Sequence, residues 1–272
     1  MQICVNGTFH PSSQPVIRSS NRAYRYGDGI FETILLLKGE MPLFRYHMKR
    51  LYSGISQLGY RFTVEEADLL KQVKSLCQKN NCVEKARIRI SVTGGNGFLT
   101  EEREKADHVI EAREFHPQRD HAVISNLGFY RDAFKSCDSL SNLKSTSALI
   151  YAQAAAYGRS EGMDDVLVLN SEKRIADSTI ANLFVVLNEK IITPSLGEAC
   201  VDGVMRRWLL EQLGEEMKIT EGTVTPADLE QAQEIFLTNA LRGIIRVERF
   251  LGRKLSHVMT DFLVEKSAQT IG

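Results

Sequence analysis

The reading turns on four short segments: Asn142-Leu143-Lys144-Ser145, Asp177-Ser178-Thr179-Ile180-Ala181-Asn182-Leu183-Phe184, Ile191-Ile192-Thr193, and Val201-Asp202-Gly203-Val204-Met205-Arg206. The chain between and around them alternates strand and helix patterns. Ser147 to Ser160 is alanine-rich and offers Leu149, Ile150, Ala152, Ala155 and Ala156 for packing, so it reads as a helix. Asp165-Val166-Leu167-Val168-Leu169 is a run of branched apolar residues that suits a buried strand, turned by 170–173. Asn182 to Leu187 and Lys190 to Thr193 continue as strands, and Arg206 to Leu213 reads as a helix. A lysine, a carboxylate and a glycine-bearing turn are thus set into one stretch of alternating elements.

Working outward toward the N-terminus, Ile3 to Val5, Asn6-Gly7 and Thr8-Phe9 read as a β-hairpin, because Asn-Gly tolerates the positive φ of a tight primed turn. A polar Ser/Arg loop leads to Tyr24-Arg25-Tyr26-Gly27-Asp28-Gly29, then to a strand over Ile30 to Leu37. Lys38-Gly39-Glu40 turns it into a second extended segment, Met41-Pro42-Leu43-Phe44. From Arg45 to Leu58 the period changes: Met48, Leu51, Ile55 and Leu58 recur at helical spacing. A second helix covers Val64 to Lys79, and Arg87 to Thr93 and His108 to Ala112 alternate as strands. The polar, proline-bearing Glu114 to Asp120 is the best boundary candidate, giving a smaller domain over 1–116, a linker over 117–122 and a larger domain over 123–272.

Toward the C-terminus, His121 to Asn126 is a strand, and the polar chain from there to Asn142 reads as irregular. Thr225-Pro226-Ala227-Asp228 opens a helix with a hydroxyl cap, a proline in the first turn and a carboxylate at the positive end. Glu234 to Thr238 is a strand, and a helix from His257 closes the chain. This alternation indicates an α/β or α+β fold of two domains.

Composition narrows the function classes. In 272 residues, 43% hydrophobic and 25% charged, the chain has the make-up of a soluble globular protein. Lys plus Arg and Asp plus Glu both total 34, which argues against general affinity for nucleic acid or an anionic membrane. Small anions must then be held by local groups. The five scattered cysteines show no zinc-site spacing, the N-terminus lacks a signal-peptide pattern, and no apolar run is long enough to span a bilayer. A cytoplasmic protein is expected.

Several residues invite chemistry. Gly27-Asp28-Gly29 and Gly94-Gly95-Asn96-Gly97 resemble phosphate cradles only loosely; without Walker or dinucleotide spacing they read as ordinary turns. Arg50, in His47-Met48-Lys49-Arg50-Leu51, is either a solvated helix arginine or a bidentate phosphate ligand. His47 reads as structural, and neither a nucleophile elbow nor a pair of metal ligands at helix or hairpin spacing occurs.

Taken together, Lys144, Asp177, Thr179, Asn182-Leu183-Phe184, Ile191-Ile192-Thr193 and Val201 to Arg206 resemble the signature of the fold-type IV, class IV pyridoxal-phosphate enzymes, of which the D-amino-acid aminotransferase fold is typical. Arg25 to Glu32 and His47 to Leu51 match further family segments in order, so the resemblance spans nearly the whole chain. It implies pyridoxal 5'-phosphate as cofactor, a small amino compound as substrate and a homodimer. Lys144 is the implied catalytic amine that condenses with the cofactor aldehyde. Asp177 is the implied partner of the ring nitrogen, an aspartate where the family usually has glutamate. The phosphate falls to Arg50, to the turn at Val204 and Met205, and to Thr238, Asn239 and Ala240, where Met205 and Ala240 replace two hydroxyls common in aminotransferases. Tyr26, Phe31, Arg89 and Gly94 are implied substrate-side residues. Branched-chain enzymes place a tyrosine where this chain has Leu149, and D-amino-acid enzymes place one at Phe31. Gly-Val-Met-Arg and Thr-Asn-Ala-Leu are more similar to aminodeoxychorismate lyases, despite Ser147 at their usual asparagine. The leading expectation is elimination of pyruvate from 4-amino-4-deoxychorismate to give 4-aminobenzoate, a folate precursor. Transamination of a branched-chain or D-amino acid is the alternative, and a non-catalytic binding member of the fold is the alternative of another class.

Overall fold

The structure, a computed structural model, describes residues 1–103, 105–115 and 123–271. Its described residues fall into two compact units, one within Met1–His116 with Lys144–Ala148, the other within Pro117–Leu143 with Leu149–Gly272. The proposed linker at 117–122 lies outside the described residues.

The first unit begins with the expected hairpin, β1 (Gln2–Val5) and β2 (Thr8–Pro11), turned by Asn6 at φ 50° and Gly7 at φ 85°. A short helix follows where a loop was expected, α1 (Arg22–Tyr26). Asn21 caps it by accepting from Ala23 N and Tyr24 N, and Gly27 ends it at φ 69°. Next come β3 (Gly29–Leu37), α2 (Phe44–Gln57), α3 (Glu66–Lys79), β4 (Lys85–Thr93) and β5 (Asp107–Glu114). The strands form one antiparallel sheet in the order β2-β1-β5-β4-β3. The extended segment expected over Met41 to Phe44 is absent: Pro42 has no N–H to offer a ladder, Phe44 N turns back to Met41 O at 3.0 Å, and α2 starts at once. Alternation works as the sequence suggests, with Ala86, Ile88, Ile90 and Val92 of β4 buried.

In the second unit the order is β6 (Val123–Ile124), β7 (Leu127–Lys135), α4 (Leu149–Ser160), β8 (Asp165–Asn170), β9 (Ile175–Ser178), β10 (Asn182–Leu187) and β11 (Lys190–Pro194). Then follow α5 (Val204–Leu213), β12 (Ile219–Gly222), α6 (Pro226–Gln231), β13 (Glu234–Asn239), β14 (Gly243–Val247), β15 (Arg249–Phe250), β16 (Arg253–Lys254) and α7 (Val258–Ile271). One sheet runs β12-β11-β10-β13-β14-β6 and a second runs β16-β15-β7-β8-β9. Their shared core includes Leu127, Leu167, Leu169, Leu183, Leu237 and Val247. Val166 and Val168 of β8 point the other way, onto Ala154 of α4 and Tyr130 of β7. Because successive side chains alternate faces, β8 is buried on both sides and reads as an unbroken apolar run.

The strand β7 contradicts the irregular reading over Leu127 to Lys135, while the rest of that segment, to Asn142, is irregular as expected. The pairing of β7 to β8 shifts register between Tyr130 and Lys135, so the two-residue period that marks a strand is broken. The expected Thr225 cap is present as a full capping box with Asp228. Among the described residues no helix is long and apolar enough to cross a membrane.

Candidate active site

In the first unit, Lys144 does not lie on the larger domain as expected. Its carbonyl accepts from Phe31 N at 2.9 Å, Ser145 bridges Ile30, and Thr146 N donates to Gly29 O at 2.8 Å. The lysine segment therefore extends the edge of β3, and the helix expected from Ser147 starts two residues later, at Leu149. This also explains Gly27-Asp28-Gly29. A Cβ on Gly27 would come within 3.0 Å of Ser147 Cβ, and one on Gly29 within 3.0 Å of Thr146 Oγ1, whose hydroxyl donates to Gly27 O. The glycines seat the lysine segment by close backbone approach. Asp28 turns away and accepts from Arg22, Tyr60 and Arg103. Although burial works the other way, those donors lower its pKa. Gly94 packs on it, with room for no Cβ: one would sit 2.6 Å from Asp28 Oδ2.

The Lys144 ammonium lies 4.7 Å from the centre of the Phe31 ring, and the Arg89 guanidinium lies 3.6 Å from that same centre. Arg89 also donates to Ser91 Oγ. Tyr26 is exposed. Arg50 is not a solvated helix arginine: its Nε and Nη2 form a fork on Glu32 at 2.7 and 2.5 Å. His47, buried as its structural reading requires, places Nδ1 2.6 Å from the same carboxylate. Burial alone would raise the Glu32 pKa, yet Arg50 and His47 outweigh it and bring it to about 2. Burial lowers that of His47, Glu32 opposes this, and Arg50 and Lys144 add to the lowering. Two of the five guanidinium donors suffice to lock the plane of Arg50.

In the second unit, the signature residues build a scaffold. Asn182 Nδ2 donates to Val201 O at 2.7 Å, Thr193 Oγ1 to Leu183 O at 2.7 Å, and Arg206 Nη2 to Pro194 O at 2.8 Å. A Cβ on Gly203 would lie 1.7 Å from Asn182 Oδ1, so only glycine fits. Gly203 is the N-cap of α5 and makes no side-chain cap. The first intrahelical bond is Arg207 N to Gly203 O, which leaves the N–H groups of Val204, Met205 and Arg206 without an intrahelical acceptor. Thr238 sits opposite Asn182 across β10 and β13, so both side chains share the face that meets the start of α5. The Thr238 hydroxyl is buried and has no hydrogen-bond partner among the described residues. Asn239 uses its Oδ1 to accept from Leu241 N and Arg242 N, shaping the turn that carries Ala240.

Asp177 is 2% exposed and lies opposite Val168, which turns it toward α4. Its Oδ2 accepts from Tyr151 Oη at 2.9 Å, Val201 N at 2.9 Å and Lys135 Nζ at 3.3 Å. Its Oδ1 takes the more distant share of the Tyr151 hydroxyl, at 3.1 Å. Lys135, itself buried, also donates to Tyr151. Burial and the neighbouring carboxylate raise the Tyr151 pKa well above its ordinary value, so the phenol keeps its proton. Sequence reading missed both partners. Lys135 lies past the β7 bulge, and Tyr151 looks like one more packing residue of an alanine-rich helix. What distinguishes Tyr151 is its place in the first turn of α4, packed against Val166 and Val168 of β8.

A buried anchored carboxylate and an open helix start with a partnerless hydroxyl beside it form a set of groups suited to a cationic ring nitrogen and a phosphate. The profile of the amino-transferase class IV family matches residues 29–250. The chain belongs to the class IV aminotransferase family. It is 27% identical over 263 residues to the aminodeoxychorismate lyase of Bacillus subtilis, covering 89% of this chain and 84% of that one. A 4-amino-4-deoxychorismate lyase from Pseudomonas aeruginosa superposes with a TM-score of 0.84 at 25% identity, covering 97% of each chain. A branched-chain aminotransferase from Thermoproteus uzoniensis superposes at 0.89 and 21% identity, covering 100% of this chain and 94% of that one. That last likeness concerns the fold alone. As expected for this family, the chain is a pyridoxal-phosphate-dependent lyase or transferase.

Proposed function

We propose that the protein is a 4-amino-4-deoxychorismate lyase, eliminating pyruvate to leave 4-aminobenzoate. The observation that carries it is the agreement, over most of the chain, with lyases of that name, in a site lacking the tyrosine and hydroxyls of the aminotransferases at Leu149, Met205 and Ala240. When bound, pyridoxal phosphate supplies an aldehyde that takes up amines and a ring that withdraws electrons from the reacting carbon. The residues present fit it. Val204 N, Met205 N and the Thr238 hydroxyl would hold the phosphate, Arg50 adds positive charge, and Asn239 and Ala240 contribute through the turn they form. Asp177 would accept the N–H of the ring nitrogen and so favour its protonated form. Lys144 would hold the aldehyde and, once the substrate amine has displaced it, would take the proton from the amine-bearing carbon as the enolpyruvyl group leaves, that proton's equivalent ending on the released pyruvate. Arg89, beside Phe31, is the cation for a substrate carboxylate, while Tyr26 and Gly94 border that side. The protein is further read as a cytoplasmic homodimer.

The test is incubation of the purified protein with pyridoxal phosphate and 4-amino-4-deoxychorismate, scoring 4-aminobenzoate and pyruvate beside keto acids from a panel of amino acids. Aminobenzoate formation, lost in Lys144→Ala together with the cofactor's visible absorption band, is the expected result. Keto acid without aminobenzoate would make it an aminotransferase. Failure to take up pyridoxal phosphate would leave a non-catalytic member of the fold.

A further inference from the structure

Lys135 is a buried cation that neither the signature nor the proposed reaction uses. Ordinary packing seldom buries a lysine, and one that is buried has a partner. Here the partner is the carboxylate assigned to the ring nitrogen. The three groups meet because their backbones place them on one side of a sheet. Lys135 pairs with Asn170 and Asp177 with Val168, and Val168 and Asn170 lie on the face of β8 that α4 covers with Tyr151.

The two oxygens of Asp177 are unequally served. Oδ2 takes Lys135, Tyr151 and Val201 N, whereas Oδ1 takes only the 3.1 Å share of the Tyr151 hydroxyl among the described residues. An ionised carboxylate has about four acceptor positions, so Oδ1 keeps the greater capacity for another donor. Lys135 and Tyr151 thus supply what a shorter side chain most needs, a fixed orientation.

We propose that Lys135, acting with Tyr151, is a positioning residue for the cofactor ring: it anchors Oδ2 of Asp177 and leaves Oδ1 to receive the ring nitrogen. This rests on the proposed pyridoxal-phosphate site and adds to it a residue that site does not otherwise require.

The test compares uptake of pyridoxal phosphate with uptake of its 1-deaza analogue, in which C–H replaces the ring nitrogen. Binding to the apo protein is followed by the fluorescence of Trp208, the single tryptophan, on α5. The phosphate grip is common to both ligands, so their affinity ratio reads the Asp177 contact. The native chain is expected to prefer the nitrogen-bearing ligand by about tenfold, as for a hydrogen bond to a charged group. Asp177→Asn and Lys135→Met should both bring the ratio close to one, and Lys135→Arg should restore most of it. If Lys135→Met weakens both ligands equally and keeps the native ratio while Asp177→Asn abolishes it, Lys135 is merely structural and the proposal fails. If Asp177→Asn leaves the ratio unchanged, the assignment of Asp177 fails first and takes this proposal with it. Should Lys135→Met not fold by circular dichroism, Lys135→Gln and Tyr151→Phe are read the same way, each expected to lower the ratio severalfold. If none of these variants folds, the triad is a requirement of the fold and the positioning role is rejected.

Discussion

Gly203→Ala should destabilise the protein through a single contact. Gly203 has φ −70° and ψ 134°, a conformation any residue adopts, so alanine brings no backbone strain. By restricting the unfolded chain it would even stabilise by about 0.4–1 kcal/mol if its methyl had room. It has none: the methyl would lie 1.7 Å from Asn182 Oδ1 and 2.8 Å from Cγ. Asn182 is 5% exposed and tied to Val201 O at 2.7 Å. To make way it must give up that bond and leave the half-buried Val201 carbonyl and its own amide unpaired, at about 1–3 kcal/mol, or α5 must shift, with overpacking of about 1–3 kcal/mol. A net loss of about 2 kcal/mol is expected, seen as a drop of about 4–8 °C in Tm for a chain of this size. The sharper measurement is the double-mutant cycle. Asn182→Ala removes the obstacle, so Asn182→Ala/Gly203→Ala should be no less stable than Asn182→Ala alone, giving a coupling of about 2–3 kcal/mol. Urea denaturation of the four apo proteins reads it. Additive losses, or a Gly203→Ala protein as stable as the native one, would refute the claim that this pair locks the start of α5.

Glu32 sets an acid limit on stability. Its pKa falls from 4.5 in the unfolded chain to about 2 when buried against Arg50 and His47. A depressed carboxylate contributes stability that is present above the unfolded value and lost as pH falls through the folded one, here on the order of 3 kcal/mol between about pH 4.5 and 2. Urea midpoints of the apo protein should fall through that window, and Glu32→Gln should flatten the fall while lowering stability at neutral pH; an unchanged slope in the variant would assign the acid loss elsewhere. Thr238→Val removes a buried hydroxyl that has no partner among the described residues and should leave the apo protein as stable as before or about 1 kcal/mol more stable. The same change should weaken uptake of pyridoxal phosphate by about tenfold and leave uptake of unphosphorylated pyridoxal unaltered. Equal affinities for the phosphate ester in both proteins would remove Thr238 from the phosphate site.

Much of the fold is legible in local pattern. The Asn6-Gly7 turn, the helical spacing of Met48, Leu51 and Ile55, the apolar run of β8 and the cap at Thr225 each state their structure within a few residues. Where local pattern misled, a longer-range effect intervened. The bulge in β7 broke the strand period, Pro42 withheld a ladder donor, and the edge of β3 drew Lys144 to Thr146 into pairing just before an alanine-rich run whose pattern suggested an earlier helix start.

The spacing of Lys144, Asp177, Asn182, Thr193, Gly203 and Arg206 was enough to name the family, because residues that must meet at fixed backbone positions cannot drift in sequence. Their division of labour belongs to the tertiary structure. Asn182, Thr193, Gly203 and Arg206 turn out to hold strands and a helix start in place. The Thr238 hydroxyl has no partner among the described residues, and Asp177 is anchored by Lys135 and Tyr151. None of that is readable along the chain. A hydrogen bond between Lys135 and Asp177 spans 42 positions, and only the pairing of three strands under one helix turns that separation into a contact.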